Sequence, residues 1–526
     1  MKRSNSKQKA QSAFKKLGGV VLITATIFFT ACKQTGGGTQ EASFVKGGAL
    51  LILSPDNLNI KVKAVTSDGS AITVEGCNET TLTSDVETTL HATGTRVVLK
   101  GKIIKLNCDG IYDNKQPLTA LNVQGLTSLE KLECQYNQLT ELNVQGLTSL
   151  QDLQCGDNQL TSLNVQGLTS LEKLDCQYNQ LTELNLQGLT SLEKLWCHYN
   201  QLTELNVQGL TSLQDLQCGD NQLTSLNVQG LTSLENLGCW HNQLTELNVQ
   251  GLTSLEKLEC QYNQLTELNV QGLTSLQELT CYSNQLTELN VQGLTSLERL
   301  ECQWNQLTEL NVQGCASLQS LSCHDNRLTE LNVQGLTSLQ WLDCSDNKLP
   351  ELNVQGLTSL QSLSCHDNRL TELNVQGLTK LENLWCHYNQ LTELNVQGLT
   401  KLENLWCYYN QLTALNVQGC ASLQELSCHD NRLTELNVQG LTALKRLFCY
   451  GNKLNAQAMT DLLNALPDHS AYVNVRAVLY TEKTDKTEGN CKDFTQPEDL
   501  KKAFDGAKSR NWKLQKENEN GSSEDL

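Results

Sequence analysis

The apolar positions of this chain recur at a fixed interval of 21 residues. In the copy spanning 129–149 they are Leu129, Leu132, Cys134, Leu139, Leu142, Val144 and Leu147. The unit has two similar halves, Leu129-x-x-Leu132-x-Cys134-x-x-Asn137 and Leu139-x-x-Leu142-x-Val144-x-x-Leu147. Each half contains a Leu-x-Cys or Leu-x-Val step, the alternation of a half-buried strand. Cys134 starts a series that runs in unbroken register to Cys449, which gives 16 copies, and Asn137 starts a parallel series ending at Asn452. A single copy cannot bury its apolar face alone, so the pattern predicts a solenoid held by the stacking of neighbours. Strands stand about 4.8 Å apart, and 16 coils therefore predict a stack on the order of 75 Å long. Two parallel sheets are expected, the second shorter or more irregular than the first.

The fixed polar residues have structural explanations. The Asn137 amide is expected to satisfy backbone groups at the bend after the strand and in the next coil, because a buried backbone group without a partner costs about 1–3 kcal/mol. Gly146 and its equivalents are expected at a bend with unusual dihedrals or a close backbone approach. Glu141, Asn143 and Gln145 repeat almost without change and read as a soluble, aggregation-resistant back.

Variation between copies falls mainly at four positions: the third and first before each ladder Cys, and the first and second after it. They hold six of the seven Trp, nine of the twelve Tyr and six of the eight His. Trp196, Trp385 and Trp406 precede a Cys by one place, and Trp240, Trp304 and Trp341 sit on the same strand or its rim. Trp385, His387, Tyr388, Trp406, Tyr408 and Tyr409 come from consecutive copies and are expected to form one patch, with Trp196, His198 and Tyr199 forming a smaller one. Drift at a tolerant face is the plain alternative to a binding role, but drift alone does not explain why Trp is enriched there and excluded from the opposite face. Trp and Tyr dominate protein interaction hot spots, and exposed aromatic clusters mark interaction sites.

The unit LxxLxCxxNQLTxLNVQGLTS resembles a bacterial leucine-rich repeat, with Cys in place of the family's second strand Leu. Its 21-residue length and doubled half-motif are similar to the short class called IRREKO. The likeness covers about residues 116–455, and the whole chain resembles leucine-rich-repeat surface lipoproteins of host-associated bacteria, more loosely the internalins. It departs from its own pattern in minor ways: Leu186 replaces Val, and Cys315 and Cys420 replace Leu in the Gly-Leu-Thr step. The resemblance implies a mostly β, right-handed α/β-solenoid whose parallel sheet lines a concave face that binds partner proteins, with a second strand-like side opposite.

The flanks read as caps. Residues 43–115 alternate strongly and predict a small β module, with Cys108 as an irregular first copy. Residues 456–516 predict an α/β cap: a helix over 456–466, a strand over 472–481, and a second helix opened by a Thr495/Glu498 capping box with Pro497 in its first turn. The tail 517–526 reads as disordered.

Residues 1–31 read as an export signal, with Lys2, Arg3, Lys7, Lys9, Lys15 and Lys16 ahead of an apolar run from Leu17 to Phe29. Phe29-Thr30-Ala31-Cys32 resembles a bacterial lipobox, although Leu is usual where Phe29 stands. The likeness implies lipidation of Cys32, followed by a flexible tether to residue 42, and hence an exported protein on the outer membrane and cell surface. An ordinary cleaved signal peptide is the other reading.

The chemistry classes narrow further. A net charge of −18 argues against nucleic acid, which needs clustered Lys and Arg. The 22 Cys invite a disulfide scheme, yet a ladder of inward apolar positions predicts buried free thiols, leaving only Cys77 and Cys108 as a further pair to consider. Cys-His dipeptides such as Cys197-His198 and Cys386-His387 cannot share a metal or a proton, because neighbouring strand residues point to opposite faces. His324/Asp325, His366/Asp367 and His429/Asp430 form polar surface pairs, and no nucleophile with an oxyanion site accompanies them. The sequence therefore predicts a non-enzymatic surface protein without cofactor or metal, held to the membrane by its lipid alone. Its expected partner is a host or bacterial surface protein, and the role is adhesion. Carbohydrate stacking on the same rings and a passive surface coat are the alternatives.

Overall fold

A computed structural model describes residues 44–110, 118–469, 475–486 and 488–526. The export signal, the lipobox Cys32 and the tether lie outside the described residues.

The 21-residue period becomes a mostly β solenoid. Each of the 16 copies contributes a three-residue strand, from Lys131–Glu133 to Arg446–Phe448, and these pair in parallel with identical register. Leu132 faces Leu153 and Leu153 faces Leu174 in that register, so like stacks on like. The expected inward set is buried: Leu129, Leu132, Cys134, Leu139, Val144 and Leu147 are covered almost completely, and Leu142 is 6% exposed. Every described cysteine is a free thiol, Cys77 and Cys108 included. Burial pushes the ladder thiols up, that of Cys281 to about 12, which keeps them protonated.

The second sheet is mostly missing. On the Glu-Leu-Asn side the chain forms hydrogen-bonded strands at only two places among the described residues: Glu288–Asn290 with Glu309–Asn311, and Glu393–Asn395 with Ala414–Asn416. Both lie in the coils that end in the two Leu→Cys departures. Sγ of Cys315 donates to the Val291 carbonyl at 3.2 Å and Sγ of Cys420 to the Val396 carbonyl at 3.1 Å. The smaller side chain lets two coils approach, where the usual Leu keeps them apart. The two substitutions that looked minor thus decide where the second side pairs.

The Asn ladder acts on the preceding coil, not the next one. Nδ2 of Asn158 donates to the carbonyls of Cys155 and Gly156 in its own bend and to Cys134 in the coil before, while its Oδ1 accepts from the N–H of Leu139. Four backbone groups are satisfied by one buried amide. Asn490 repeats the device in the C-terminal cap, donating to Cys449 and Leu479 and accepting from Leu454. Gly146 adopts φ of +82° with open space around its missing Cβ, so dihedral freedom rather than crowding selects glycine there.

The N-terminal module continues both sides of the stack. Strand Ile103–Asn107 pairs in parallel with the first ladder strand, and Asn59–Thr66 pairs antiparallel behind it. Leu118–Asn122 closes a second antiparallel sheet with Gly48–Leu53 and bridges from Asn122 to Asn143 on the Glu side. At the other end, helix α1 (Ala456–Ala465) is capped by the Asn455 side chain, which accepts from the Ala458 N–H. Strands Arg476–Thr481 and Lys513–Glu517 extend the ladder sheet in parallel.

Two expectations for this cap fail. Helix α2 (Glu498–Ser509) starts at Pro497 without a side-chain cap, because the Thr495 hydroxyl donates to Asp493 instead of forming a capping box. Residues Ser523–Asp525 of the supposedly disordered tail pair antiparallel with Lys513–Glu517. The sheet edge left by Lys513–Glu517 supplies unpaired backbone groups that draw the tail in, and a short acidic strand then ends the sheet.

Candidate binding face

Each ladder strand ends at the residue before its Cys. The positions three and one before the Cys point outward from the strand, the Cys inward, and the position after it outward again. The next residue, two after the Cys, is different in kind. Its φ is positive in every copy, from Tyr136 at 57° to Asp430 at 52°, with Gly451 closing the series at 62°. This left-handed turn, not free surface variation, constrains the position. Asp occupies it in six copies, which suits a short side chain that can bond to nearby backbone. Tyr199, Trp304, Tyr388 and Tyr409 hold the same conformation with bulky side chains, at a cost in backbone strain on the order of 1 kcal/mol.

The outward columns carry two tracks of aromatic rings. The first runs through Tyr178, Tyr199, Trp240, His241, Tyr262, Tyr282, Trp304 and His324, with successive ring centroids 4.2, 5.4, 6.1, 4.2, 5.1, 5.9 and 5.3 Å apart. Trp240 lies over Gly219, where any Cβ would strike the indole. Tyr199 is 38% exposed and Trp304 47%.

The second track is more regular. His366, His387, Tyr408, His429 and Tyr450 occupy the same position in five consecutive copies and stack nearly parallel, with centroids 4.3, 4.3, 4.4 and 4.3 Å apart. Beside them Tyr388 stacks on Tyr409 at 4.5 Å, and Trp385 meets Trp406 edge-on at 6.2 Å. Lys486 of the C-terminal cap closes the track: its ammonium lies 4.8 Å from the Tyr409 ring and 5.2 Å from the Tyr450 ring and pairs with Asp430 at 2.5 Å. The break between the tracks falls at Cys344-Ser345-Asp346, which offers no ring.

The structure therefore brings together the six residues expected to form the larger patch. It also changes their roles. His387 is only 7% exposed, sandwiched between His366 and Tyr408, so it supports the patch more than it presents a surface. The smaller patch is divided. His198 and Tyr199 pack at 5.6 Å, whereas Trp196 is held by Lys173 over its ring at 4.5 Å and by a 2.9 Å hydrogen bond from Nε1 to Asp215. Trp341 starts its strand in register with Ser320 and Ser362 and is half-buried there, away from both tracks. Tyr178, His241, Tyr262, Tyr282 and Tyr450 join the tracks without having been singled out in the sequence, and His324, His366 and His429, expected only as polar surface pairs with Asp, join them as rings. They fall at the first and second positions after the ladder Cys, which the repeat displays, but the spacing alone does not show that successive rings stack.

Three of the histidines are held neutral by their surroundings. Burial lowers His198 and His429, and it lowers His387 to about 3, helped by the neighbouring imidazoles of His366 and His429. His324 moves the other way: burial works against its charge, but the bond to Asp325 and the nearby carboxylates outweigh it. Nothing among the described residues sets a nucleophile beside an activating base, and the free thiols of the ladder are sealed inside.

Two hollows lie on the side opposite the aromatic tracks. Two troughs of about 1280 and 1040 Å³ run along the Glu-Leu-Asn row, one between Glu309 and Asn416 and the other between Ser225 and Asn311. Their ends fall near the paired segments made by the Cys315 and Cys420 coils.

Comparison with known proteins agrees with this geometry. The family profile described as Leucine Rich repeats (2 copies) matches residues 169–210. No curated protein sequence matches the chain. Among solved structures, the functional domain of InlJ from Listeria monocytogenes, which includes a cysteine ladder, is similar over 72% of this chain and 74% of its own, with 29% identity and a TM-score of 0.55. YopM from Yersinia enterocolitica is similar over 71% of this chain and 87% of its own, with 26% identity and a TM-score of 0.54. A leucine-rich-repeat protein of Leptospira interrogans is similar over 65% and 89%, with 28% identity and a TM-score of 0.52. With its repeat, its ladder and these likenesses, the chain folds as a leucine-rich-repeat solenoid and is similar to bacterial, internalin-like proteins.

Proposed function

We propose that the chain is a cell-surface lipoprotein that binds a partner protein, on a host or neighbouring cell, through the aromatic tracks of its strand face. Solenoids of this fold are typically non-enzymatic protein-interaction scaffolds, and their extended faces suit large partners. The observation that carries the reading is the left-handed turn: several copies keep Tyr or Trp where Asp or Gly sits without strain. Rings held at a cost in the fold, and clustered with Trp385 and Trp406, have a role that packing does not explain. Lipidation of Cys32 and export to the outer membrane belong to the same proposal and rest on the resemblance of residues 29–32 to a lipobox. Among the described residues no helix is long and apolar enough to cross a membrane.

The test is capture by the purified chain of surface proteins and of glycans on an array. Wild type is expected to retain a protein partner, and Trp385→Ala with Trp406→Ala to weaken it at least tenfold without change in circular dichroism. Glycan binding that is lost in the same variant, with no protein retained, would replace the protein partner by a carbohydrate. Silence in both arms would leave a passive coat.

A further inference from the structure

The regular column of rings brings together one group of side chains with metal-ligating atoms. His366, Asp367 and His387 each bring one ligand atom to within 4.8 Å of the other two, the only such group of three or more among the described residues. Nδ1 of His366 lies 3.3 Å from Oδ2 of Asp367. Nδ1 of His387 is buried and has no hydrogen-bond partner. A buried ring nitrogen without a partner costs free energy unless something supplies its lone pair or proton with a contact. Other His-Asp pairs on this face join one imidazole to one carboxylate: His241 with Asp220, His324 with Asp325, and His429 with Asp430, where Lys486 also pairs with the carboxylate. Among the described residues, only at 366–387 do two histidines in successive copies flank one carboxylate without a lysine ion pair.

The geometry points to a site for one divalent transition-metal ion, of the zinc class, held by His366, Asp367 and His387. Two imidazoles and a carboxylate are a ligand set that zinc accepts while keeping an open position. Zinc–ligand bonds of roughly 2.0–2.2 Å require ligand atoms about 3.3–3.5 Å apart. The group must therefore close by about an ångström, with the stacked imidazoles tilting from their present 16°. His366 and Asp367, both partly exposed, are free to make that movement. The open position would face the same surface as Tyr388 and Trp406, so a bound ion could take a further ligand from a docked partner. The ladder thiols do not compete, being fully buried on the inner side of the strand.

Zinc titration of the metal-free full chain, followed by calorimetry, tests the site, with cobalt(II) as the spectroscopic probe. One ion per chain is expected, with cobalt bands of nitrogen and oxygen ligation. His366→Ala, Asp367→Asn and His387→Gln should each weaken binding at least tenfold, while His324→Ala should leave it within twofold. If His387→Gln disturbs the fold by circular dichroism, the two variants at exposed positions decide alone. Unchanged zinc affinity in His366→Ala and Asp367→Asn, no binding by the wild type, or a strong thiolate-to-cobalt band would overturn the assignment. None of these outcomes bears on partner capture in metal-free buffer, so the two proposals fail separately.

Discussion

Sγ of Cys315 donates a hydrogen bond to the carbonyl of Val291, 3.2 Å away in the preceding coil. Where Cys315 stands, most copies have Leu, and there the coils do not pair on the Glu side. Restoring the rule with Cys315→Leu should push these coils apart. The amides of Val291 and Gly293 now donate to Asn311 and Gln313 at 3.1 and 2.9 Å. Each bond contributes about 1 kcal/mol net, so hydrogen exchange at those two amides is expected to quicken about fivefold. Unchanged exchange would show that side-chain size is not what closes the gap.

The buried amide of the Asn ladder makes a stronger demand. Asn263 donates to Cys239, Cys260 and Gln261 and accepts from Leu244. Asn263→Ala strands several backbone groups inside the stack, and each costs about 1–3 kcal/mol. A loss of at least about 3 kcal/mol is expected in chemical denaturation, with the first exchange-labile coils at residues 239–265. A loss below about 1 kcal/mol would mean that water or backbone rearrangement fills the place.

These two cases show where reading the sequence works. The inward series Leu132, Cys134, Leu139 and Val144 was legible because burial leaves a period that repeats 16 times. The partners of Asn137 were not, since the spacing says that an amide serves two coils without saying on which side the second lies. Cys315 looked minor because a sequence shows that a side chain shrank, not that two coils close over it. At the site, Trp385 and Trp406 were legible as outward residues. The column through His366, His387 and Tyr408 needed the stacking distance before its continuity was visible. The tail strand Ser523–Asp525 has no apolar alternation, and only the free edge beside it accounts for its order.

His387 gives the fold a pH signature. Its imidazole protonates near 6.5 when unfolded and near 3 when folded, because burial and then its histidine neighbours oppose the charge. Between those values the unfolded chain binds more protons, so stability rises with pH there. The contribution is fully present above about 6.5 and is lost as pH falls towards 3. Asp109 and Asp175, pushed up to about 6 by burial, act with the opposite sign, but they are common to wild type and variant. Melting temperature should therefore fall less for His387→Gln than for wild type between about pH 7 and pH 4.5. Equal falls would show that His387 takes its proton within the folded state.

The strained turns allow stability and recognition to be separated. Tyr388 and Tyr409 have φ of 53° and 51° and stack on each other. Asn tolerates this conformation, which returns on the order of 1 kcal/mol per site, while loss of the stacked pair costs about 0.5–1.5 kcal/mol. Tyr388→Asn with Tyr409→Asn should thus unfold within about 1 kcal/mol of wild type and yet bind partner at least tenfold more weakly. A clear loss of stability with binding intact would make the tyrosines structural.

Recognition is expected on the aromatic strand face and not on the opposite side, where the two troughs lie. Partner attachment measured side by side for two double variants tests it most directly: Trp385→Ala with Trp406→Ala on the ring track, and Glu351→Lys with Glu372→Lys in the trough. Attachment is expected to fall at least tenfold in the first and to stay within about twofold of wild type in the second. Attachment kept by the tryptophan variant and lost by the glutamate variant would contradict the account and move the binding surface to the Glu-Leu-Asn row.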